Sequence, residues 1–573
     1  MRDFGKRGIW TAVGFTGGIF GACGVMAPTS AQAQDQEDVV IEAGPETQID
    51  TRIAPPTSAR FLEDPLETVI QQKSAPMQVG VPVVKVVSAS EVIGFENRDF
   101  RALDERNDEA VFYSDDRTNT GYTDVAVSLA YRVNPKLRFD TQLKYNLLWR
   151  DDRLGRSNGV GGGVQVFRLN FDYTFIEGDD FNLTARFGRQ PFRIGGVPKE
   201  YMLEGTMDGL TFDVGLGKAG SLRIMAIDFY AANDLPISGV RTFKDGSDTV
   251  FGLRGETVTY RTGAVYDFDT GNSDEGRLDL RAYYFYASIG GGPIEESGAD
   301  ISFGGKNGNF RDRDYQHLGG GRVAYQLPLG GGTELQFYGE FARSEGIDRQ
   351  NPVLRDVDTG GNAYGGGVQA RIQSSDDLIF FLQGDGYHFD GAKYGSDGLE
   401  YERGFVSFRG NRVGGFAIGR LSVWRPSAAL DTFGVDASPN ELFRVSGTEF
   451  LHFGAGTRVG GFTLRADTWL YTDTSSSEVN FGAGLTDLPE LPFGVSKAQV
   501  AAQERFGKAL GQEFNLSAGY EVDANFRLYA DLGLFMPGAF YEIEIDPAAA
   551  GDQTMLGGTE TFWAGRAGAM VTF

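Results

Sequence analysis

The sequence predicts an all-β protein, a transmembrane antiparallel up-and-down β-barrel of about 18 strands. Three observations support this fold class. Strands with one apolar and one polar face recur along the chain. The connections between them alternate between short turns and long loops, as in outer-membrane barrels. The last of these strands ends on an aromatic residue, Phe573, as bacterial outer-membrane barrels commonly do.

The alternation is clearest after residue 120. Mostly apolar residues occupy every second position of 125–133 and, after the turn at Asn134-Pro135, every second position of 137–149. A helix would mix the two sets around its circumference, whereas a strand separates them. Further strands are predicted at Val166–Phe175, Phe181–Gln190, Leu210–Leu216, Leu222–Ala231, Tyr260–Phe268, Leu278–Tyr286, Arg322–Leu327, Thr333–Phe341, Val368–Ile372, Leu378–Phe389, Leu451–Val459, Phe462–Tyr471, Glu513–Val522, Phe526–Leu534 and Trp563–Phe573.

The order of short and long connections adds one strand to this set. We expect the short turns to face the periplasm and the long loops to face the cell exterior. A barrel that begins in the periplasm then needs an upward strand before residue 120, for which Val81–Val92 is the candidate. The stretch 390–447 is either one long loop, which gives 18 strands, or contains an extra hairpin around Gly414–Trp424, which gives 20. We expect 18.

The N-terminus reads as a secretion signal. Basic residues precede an apolar segment, and Ala31-Gln32-Ala33 forms a small-x-small cleavage site. The predicted organisation is a signal peptide at 1–33, a flexible acidic periplasmic leader at 34–78 and an outer-membrane barrel at 79–573. The alternative is a lipoprotein processed at Cys23, the single cysteine, although Phe20 fits that signal poorly.

Composition restricts the function. Outside the signal, the chain lacks the run of about 18 apolar residues that a membrane-spanning helix requires. Its formal charge of −25 would become −27 once the three basic residues and one acidic residue of 1–33 are removed. Such acidity argues against nucleic acid as a partner. The expected partners are outer-membrane lipid, small anionic or saccharide solutes, and barrel-assembly machinery that recognises the strand ending in Phe573.

Arginines recur at the inward positions of the predicted strands. A guanidinium is always charged and offers planar donors to a carboxylate or phosphate, so a ring of them would attract anions. The alternative is structural pairing, because acids such as Asp140, Asp172 and Asp467 share the same face. The candidate pore-lining residues are Arg138, Arg168, Arg186, Arg189, Arg193, Arg281, Arg322, Arg465, Arg527, Arg566, Trp469 and Tyr471.

Two groups of these candidates carry further expectations. Arg189 and Arg193 lie near the loop side without an obvious local acid, which favours contact with a solute. The rings of Trp469 and Tyr471 could stack on the C–H faces of sugars, or they could fill space near strand ends.

Catalysis has little support in the sequence, and we expect no enzyme, cofactor or metal. The three histidines, His317, His388 and His452, lack a serine or cysteine partner at motif spacing. One alternative is an outer-membrane hydrolase that uses His388 with a nearby acid, Asp385 or Asp390. A second is a secreted soluble β-propeller or β-helix, whose repeats should share motifs at a fixed period.

Two short motifs near the C-terminus are formed by Gly511 and Glu513 and, further on, by Phe535, Pro537 and Gly538. The stretch that contains them resembles the closing region of the alginate export family of outer-membrane barrels, which has a Gly-x-Glu-Leu-Asp strand and a later Phe-x-Pro-Gly. Phe514-Asn515 departs from the Leu-Asp pair of that family.

Earlier in the chain, Gly188-Arg189-Gln190 and Asp208-Gly209 resemble two further motifs of that family, with Met207 in place of a Phe. The resemblance implies an 18-stranded barrel with an electropositive, arginine-lined constriction for anionic polysaccharide, and it singles out Arg189 as a ligand. The sequence as a whole predicts a passive channel in the outer membrane for anionic or sugar-like solutes.

Overall fold

The computed structural model describes residues 78–96, 118–151, 161–178, 180–194, 203–231, 257–271, 276–291, 313–348, 357–375, 377–391, 393–394, 401–402, 404–405, 415, 447–474, 476–477, 509–538 and 561–573. The predicted signal peptide and all of the predicted leader but Gln78 lie outside this part of the chain. No helix in these ranges is long and apolar enough to cross a membrane.

Eighteen long strands form the sheet. They are β1 Pro82–Glu96, β2 Thr118–Asn134, β3 Leu137–Asp151, β4 Gly161–Ile176, β5 Asn182–Ile194, β6 Leu203–Gly215, β7 Ser221–Ala231, β8 Thr257–Asp269, β9 Arg277–Gly291, β10 Arg313–Gly330, β11 Thr333–Asp348, β12 Val357–Gln373, β13 Leu378–Phe389, β14 Thr448–Val459, β15 Phe462–Asp473, β16 Ala509–Glu521, β17 Phe526–Pro537 and β18 Phe562–Thr572.

Each strand pairs with the next in antiparallel fashion, and β1 also pairs with β18 from Val87↔Thr572 to Glu96↔Trp563. The sheet is therefore closed, and none of the long strands is left with a free edge. Closure confirms the barrel, and it excludes a β-propeller or β-helix. The upward strand that the order of short and long connections required before residue 120 is present as β1.

β13 pairs directly with β14 from Leu378↔Val459 to His388↔Glu449. No barrel strand therefore lies between them, and the option of 20 strands is wrong. The described parts of 390–447 include two short segments, Lys393–Tyr394 and Tyr401–Glu402, which pair with each other. The hairpin considered at 414–424 lies outside the described residues, except for Gly415.

Short connections join the strands on one rim, as at 135–136, 331–332 and 460–461. The strand ends that the long connections join all lie on the other rim. Gln78–Val81, just before β1, and Phe573 also lie on the short-turn rim, where Gly80 N–H donates to the Arg132 carbonyl and Phe573 N–H to the Val86 carbonyl.

The two faces of the barrel differ in chemistry. Large apolar side chains are exposed on the outer face, for example Phe171, Leu382 and Trp563. Charged residues such as Arg566 alternate with them and lie inside. A closed sheet with an apolar exterior satisfies its backbone internally and suits hydrocarbon, so this chain is an outer-membrane barrel.

Glycines make room for rings on the inner face. Gly320, Gly365 and Gly568 lie directly opposite Tyr283, Tyr387 and Tyr529. A Cβ on Gly320 would come within 2.6 Å of the Tyr283 Cζ, and one on Gly568 within 2.5 Å of the Tyr529 Cζ. The rings can therefore lie along the wall instead of pointing across the barrel.

Candidate functional site

The inner face of β3–β9, here called the solvated arc, carries a series of arginine–aspartate pairs. Arg138 Nε lies 2.6 Å from Asp140, and Arg186 binds Asp172 through two nitrogens at 2.8 and 2.9 Å. Arg223 pairs with Asp213 at 2.6 Å, and Arg281 pairs with Asp267.

These four arginine side chains are 26–38% exposed. In three of the pairs the aspartate side chain is less exposed than the arginine, at 6% for Asp140, 12% for Asp172 and 28% for Asp213, whereas Asp267 is 40% exposed beside Arg281 at 26%. Because the positive partner is the more exposed one in those three pairs, this part of the wall offers cations to a solute even where each pair is neutral.

On the inner face of β10–β18, here called the sealed arc, two pairs of the same chemistry bury both partners. Arg465 pairs with Asp467 at 2.6 Å, with side chains 5% and 0% exposed. Arg566, 1% exposed, donates through Nε to Asp531 at 2.7 Å and lies 3.6 Å from Glu91 of β1. Arg322 is also buried, with its guanidinium carbon 5.2 Å from the Tyr338 ring centre.

Arg322, Arg465 and Arg566 therefore point inward as predicted, but they do not face lumen water. Arg527, nearer the short-turn rim, is half-buried and registers opposite Glu521. Its guanidinium nitrogen would lie 3.2 Å from a Cβ at Gly519.

A buried histidine occupies the centre of the sealed arc. His452 Nδ1 is 2.6 Å from Asp385 and its Nε2 is 2.8 Å from Asp467. Carboxylates only accept, so an imidazolium satisfies both contacts, and with Arg465 it balances the two acids. The imidazole stacks on Trp469 at 3.9 Å between ring centres. The sequence offered no signal for this cluster, because its members come from three strands.

Trp469 and Tyr471 point inward as expected, yet both are buried. Tyr471 Oη donates to Glu513 at 2.6 Å, and its ring is nearly parallel to that of Trp469. With His452 stacked on the indole and both rings buried, Trp469 and Tyr471 offer little open face to a sugar.

Residue Gly415 of the connection between β13 and β14 lies inside the barrel, against this group. Its N–H donates to Glu513 Oε2 at 3.0 Å and to Tyr471 Oη at 3.2 Å. A Cβ there would clash with the Asn515 amide and would lie 2.9 Å from Trp469 Nε1. Phe405 of the same connection is also fully buried and packs on Phe389. These two residues of the connection therefore lie inside the barrel and cover part of the sealed arc.

The motif residues near the C-terminus serve packing on the long-loop side of β16 and β17. Gly511 has φ +139, and a Cβ there would lie 2.7 Å from the Phe535 ring. Glu513 and Phe535 are fully buried, and Gly538 N–H donates to the Leu510 carbonyl. The motif thus holds two strand ends together.

The expectation that Arg189 is a lumen residue without a local acid is wrong. It registers opposite Leu169, an exposed residue of the outer face, and between the inward positions Gly188 and Gln190. Its guanidinium binds Asp208 at 2.7 and 2.6 Å.

Arg189 Nη1 also donates to the Val166 carbonyl at 3.1 Å, next to an irregularity in the pairing of β3 with β4. An unsatisfied carbonyl is costly in lipid, which gives Arg189 a structural role. The side chain of Arg193 lies outside the described residues.

The hydrolase alternative finds no geometry to support it. His388 lies on the outer face, stacked on Tyr364, with Nδ1 2.7 Å from Glu449 and Nε2 3.2 Å from Asp390. Both ring nitrogens are therefore occupied by acids, and neither is placed to activate a nucleophile. The described ranges hold no group of three or more His, Cys, Asp or Glu placed to bind a metal ion.

Several solved structures are similar to this chain. Acinetobacter baumannii OccAB2 is 11% identical, with 86% of this chain and 98% of that chain covered and a TM-score of 0.43. Pseudomonas aeruginosa OccK5 (OpdH) is 10% identical, with 86% and 98% covered and a TM-score of 0.42. The outer membrane protein OprD from Pseudomonas aeruginosa is 11% identical, with 88% and 96% covered and a TM-score of 0.41. No family model and no curated protein matches the sequence.

Proposed function

We propose that this protein is a passive, porin-like outer-membrane channel for small anionic solutes, with acidic oligosaccharides within its range. Solutes would cross by diffusion along the solvated arc, without cofactor or energy coupling. The observation that carries the proposal is the exposure of Arg138, Arg186 and Arg223 above their more buried aspartates.

The physical basis is electrostatic. A fixed cation in a narrow aqueous passage with low-dielectric walls raises the local concentration of anions. The chain is acidic overall, but Asp140, Asp172 and Asp213 of the solvated arc lie behind arginines. Neutral sugars have weaker support, because Trp469 and Tyr471 are buried and Gly415 lies against them. Export of polysaccharide, which the alginate export resemblance implied, has no independent support.

Purified protein reconstituted in planar bilayers tests the function directly. We expect discrete conductance steps and, under a KCl gradient, a reversal potential displaced toward that of chloride. Cation selectivity would contradict the anionic preference while leaving the channel, and absence of conductance from correctly folded protein would contradict both.

A further inference from the structure

The solvated arc contains a group of three arginines with only two carboxylates. Arg138 is held by Asp140, and Arg186 by Asp172. Arg168, the eighth residue of β4, lies among these four charged groups. The cluster therefore carries one positive charge more than its acids neutralise.

Arg168 is the arginine left over. Among the residues that the structure describes, it makes no ion pair and no hydrogen bond, and its buried Nε has no acceptor. Its direct neighbour across β3 is Gln142, a neutral amide. The guanidinium side chain is partly exposed, so it is accessible from the lumen.

Two buried amides beside this arginine also have donors to spare. Gln142 is 4% exposed, and its Nε2 has no acceptor among the described residues. Gln190, 2% exposed, accepts a hydrogen bond from Thr211 on its Oε1, and its Nε2 is likewise open. Thr211 registers opposite Arg186, which places the Gln190 amide at the same cluster.

A buried donor without an acceptor costs free energy, and one such donor next to a cation calls for an anion. One acceptor of the cluster, Asn170 Oδ1, also lacks a hydrogen-bond partner among the described residues. The donors without an acceptor, on Gln142, Arg168 and Gln190, are more numerous than this single acceptor.

We propose that Arg168, with Gln142 and Gln190, forms a binding subsite for an oxyanion, the carboxylate or phosphate group of a solute in the lumen. The guanidinium supplies charge and a planar pair of donors, and the amides supply neutral donors beside it. This inference rests on the proposed function and assigns the solute contact to one arginine. Arg138, Arg186, Arg223 and Arg281 of the solvated arc already hold carboxylates.

The test is block of channel current by acetate and, separately, by phosphate, in full-length protein in planar bilayers. We expect Arg168→Gln to weaken block at least about tenfold, because a hydrogen bond to a charged group is lost. Gln142→Leu should weaken block without changing charge, and Arg168→Lys should retain only part of it, because an ammonium lacks the planar fork.

Arg223→Gln is the matched control, because it removes the same charge from the same arc but from a pair with Asp213. It should alter the reversal potential and leave block within about twofold of the original. Equal effects of Arg168→Gln and Arg223→Gln would overturn the subsite in favour of a general effect of charge. Absence of block by both acetate and phosphate in a conducting channel would also overturn it.

Calorimetric binding of acetate and phosphate to the detergent-solubilised barrel separates this inference from the proposed function. Binding that Arg168→Gln abolishes, in a protein that conducts no ions, would support the subsite and refute the channel. Conduction without binding would do the reverse. Acetate binding alone would identify a carboxylate site, and phosphate binding alone a phosphate site.

Discussion

The solvated and sealed arcs both contain arginine–aspartate pairs, but the pairs have different roles in the two arcs. In Arg186–Asp172 the guanidinium is partly hydrated, so the pair is held weakly and its charge is available to a solute. In Arg465–Asp467 both groups are removed from water, so each depends on the other for its solvation. Charge on the inner wall therefore does not by itself show where a solute passes. The exposure of the charged group shows it.

The largest test of this contrast is to remove one acid from each arc. Asp467→Ala would leave Arg465 buried without its carboxylate and His452 with Asp385 alone, and we expect a loss of about 3–5 kcal/mol in the free energy of unfolding. Asp213→Ala, the matched change at a hydrated pair, should cost under about 1 kcal/mol. Urea unfolding in detergent, followed by the heat-dependent gel shift, measures both. Similar losses would refute the division into two arcs.

A second test concerns the outer face, where Arg189 supports a carbonyl. Arg189→Met would leave Asp208 charged and the Val166 carbonyl unsatisfied, with an expected loss of about 2–4 kcal/mol. The double change with Asp208→Leu should recover part of this loss, because the charge is gone. The reversal potential should stay the same in both variants. If Arg189→Met changes selectivity without changing stability, Arg189 faces the lumen after all.

A third test concerns the cover over the sealed arc at Gly415. A valine there would overlap Asn515 and Trp469, and the strain of about 1–3 kcal/mol should displace the connection from the wall. We expect a larger single-channel conductance with little change in unfolding. Gly384→Ala is the control, because its Cβ would make only ordinary contact with Phe453 at 3.6 Å. Unchanged conductance in the Gly415→Val channel would show that this contact does not limit the passage.

The smallest expected effect is on ion selectivity. Arg281→Gln in the solvated arc should move the reversal potential toward that of the cation, whereas Arg322→Gln, at a buried site, should move it less. The difference between the two variants should be measurable at 0.1 M salt, where the Debye length is about 10 Å, and should decrease at 1 M, where it is about 3 Å. Equal shifts from both variants would remove the distinction on which the proposed route depends.

Much of the fold could be predicted because its signals are local. The period-two pattern located most strands, and the alternation of short and long connections supplied β1. The same alternation correctly placed Arg138, Arg465 and Arg566 on the inner face. Burial could not be predicted, because it depends on chain that folds back from elsewhere, as at Gly415.

The error at Arg189 has a different cause. Counted from the outward Phe187, Arg189 belongs to the outer set, so strict alternation would have placed it correctly. Its acid was missed because Asp208 is a neighbour across strands and not along the chain. The excess positive charge at Arg168 could not be predicted for the same reason. Each ion pair across the strands has to be known before one arginine is found to lack a carboxylate.

The seam between β1 and β18 has a consequence for engineering. Val86 and Phe573 exchange two backbone hydrogen bonds on the short-turn rim, so the two chain ends of the barrel are neighbours there. A short linker could join them, and new ends could be cut at 331–332 or 460–461 without removing a rung of the ladder. Such circular permutants would keep every strand beside its original neighbours while changing which hairpin is delivered to the membrane last.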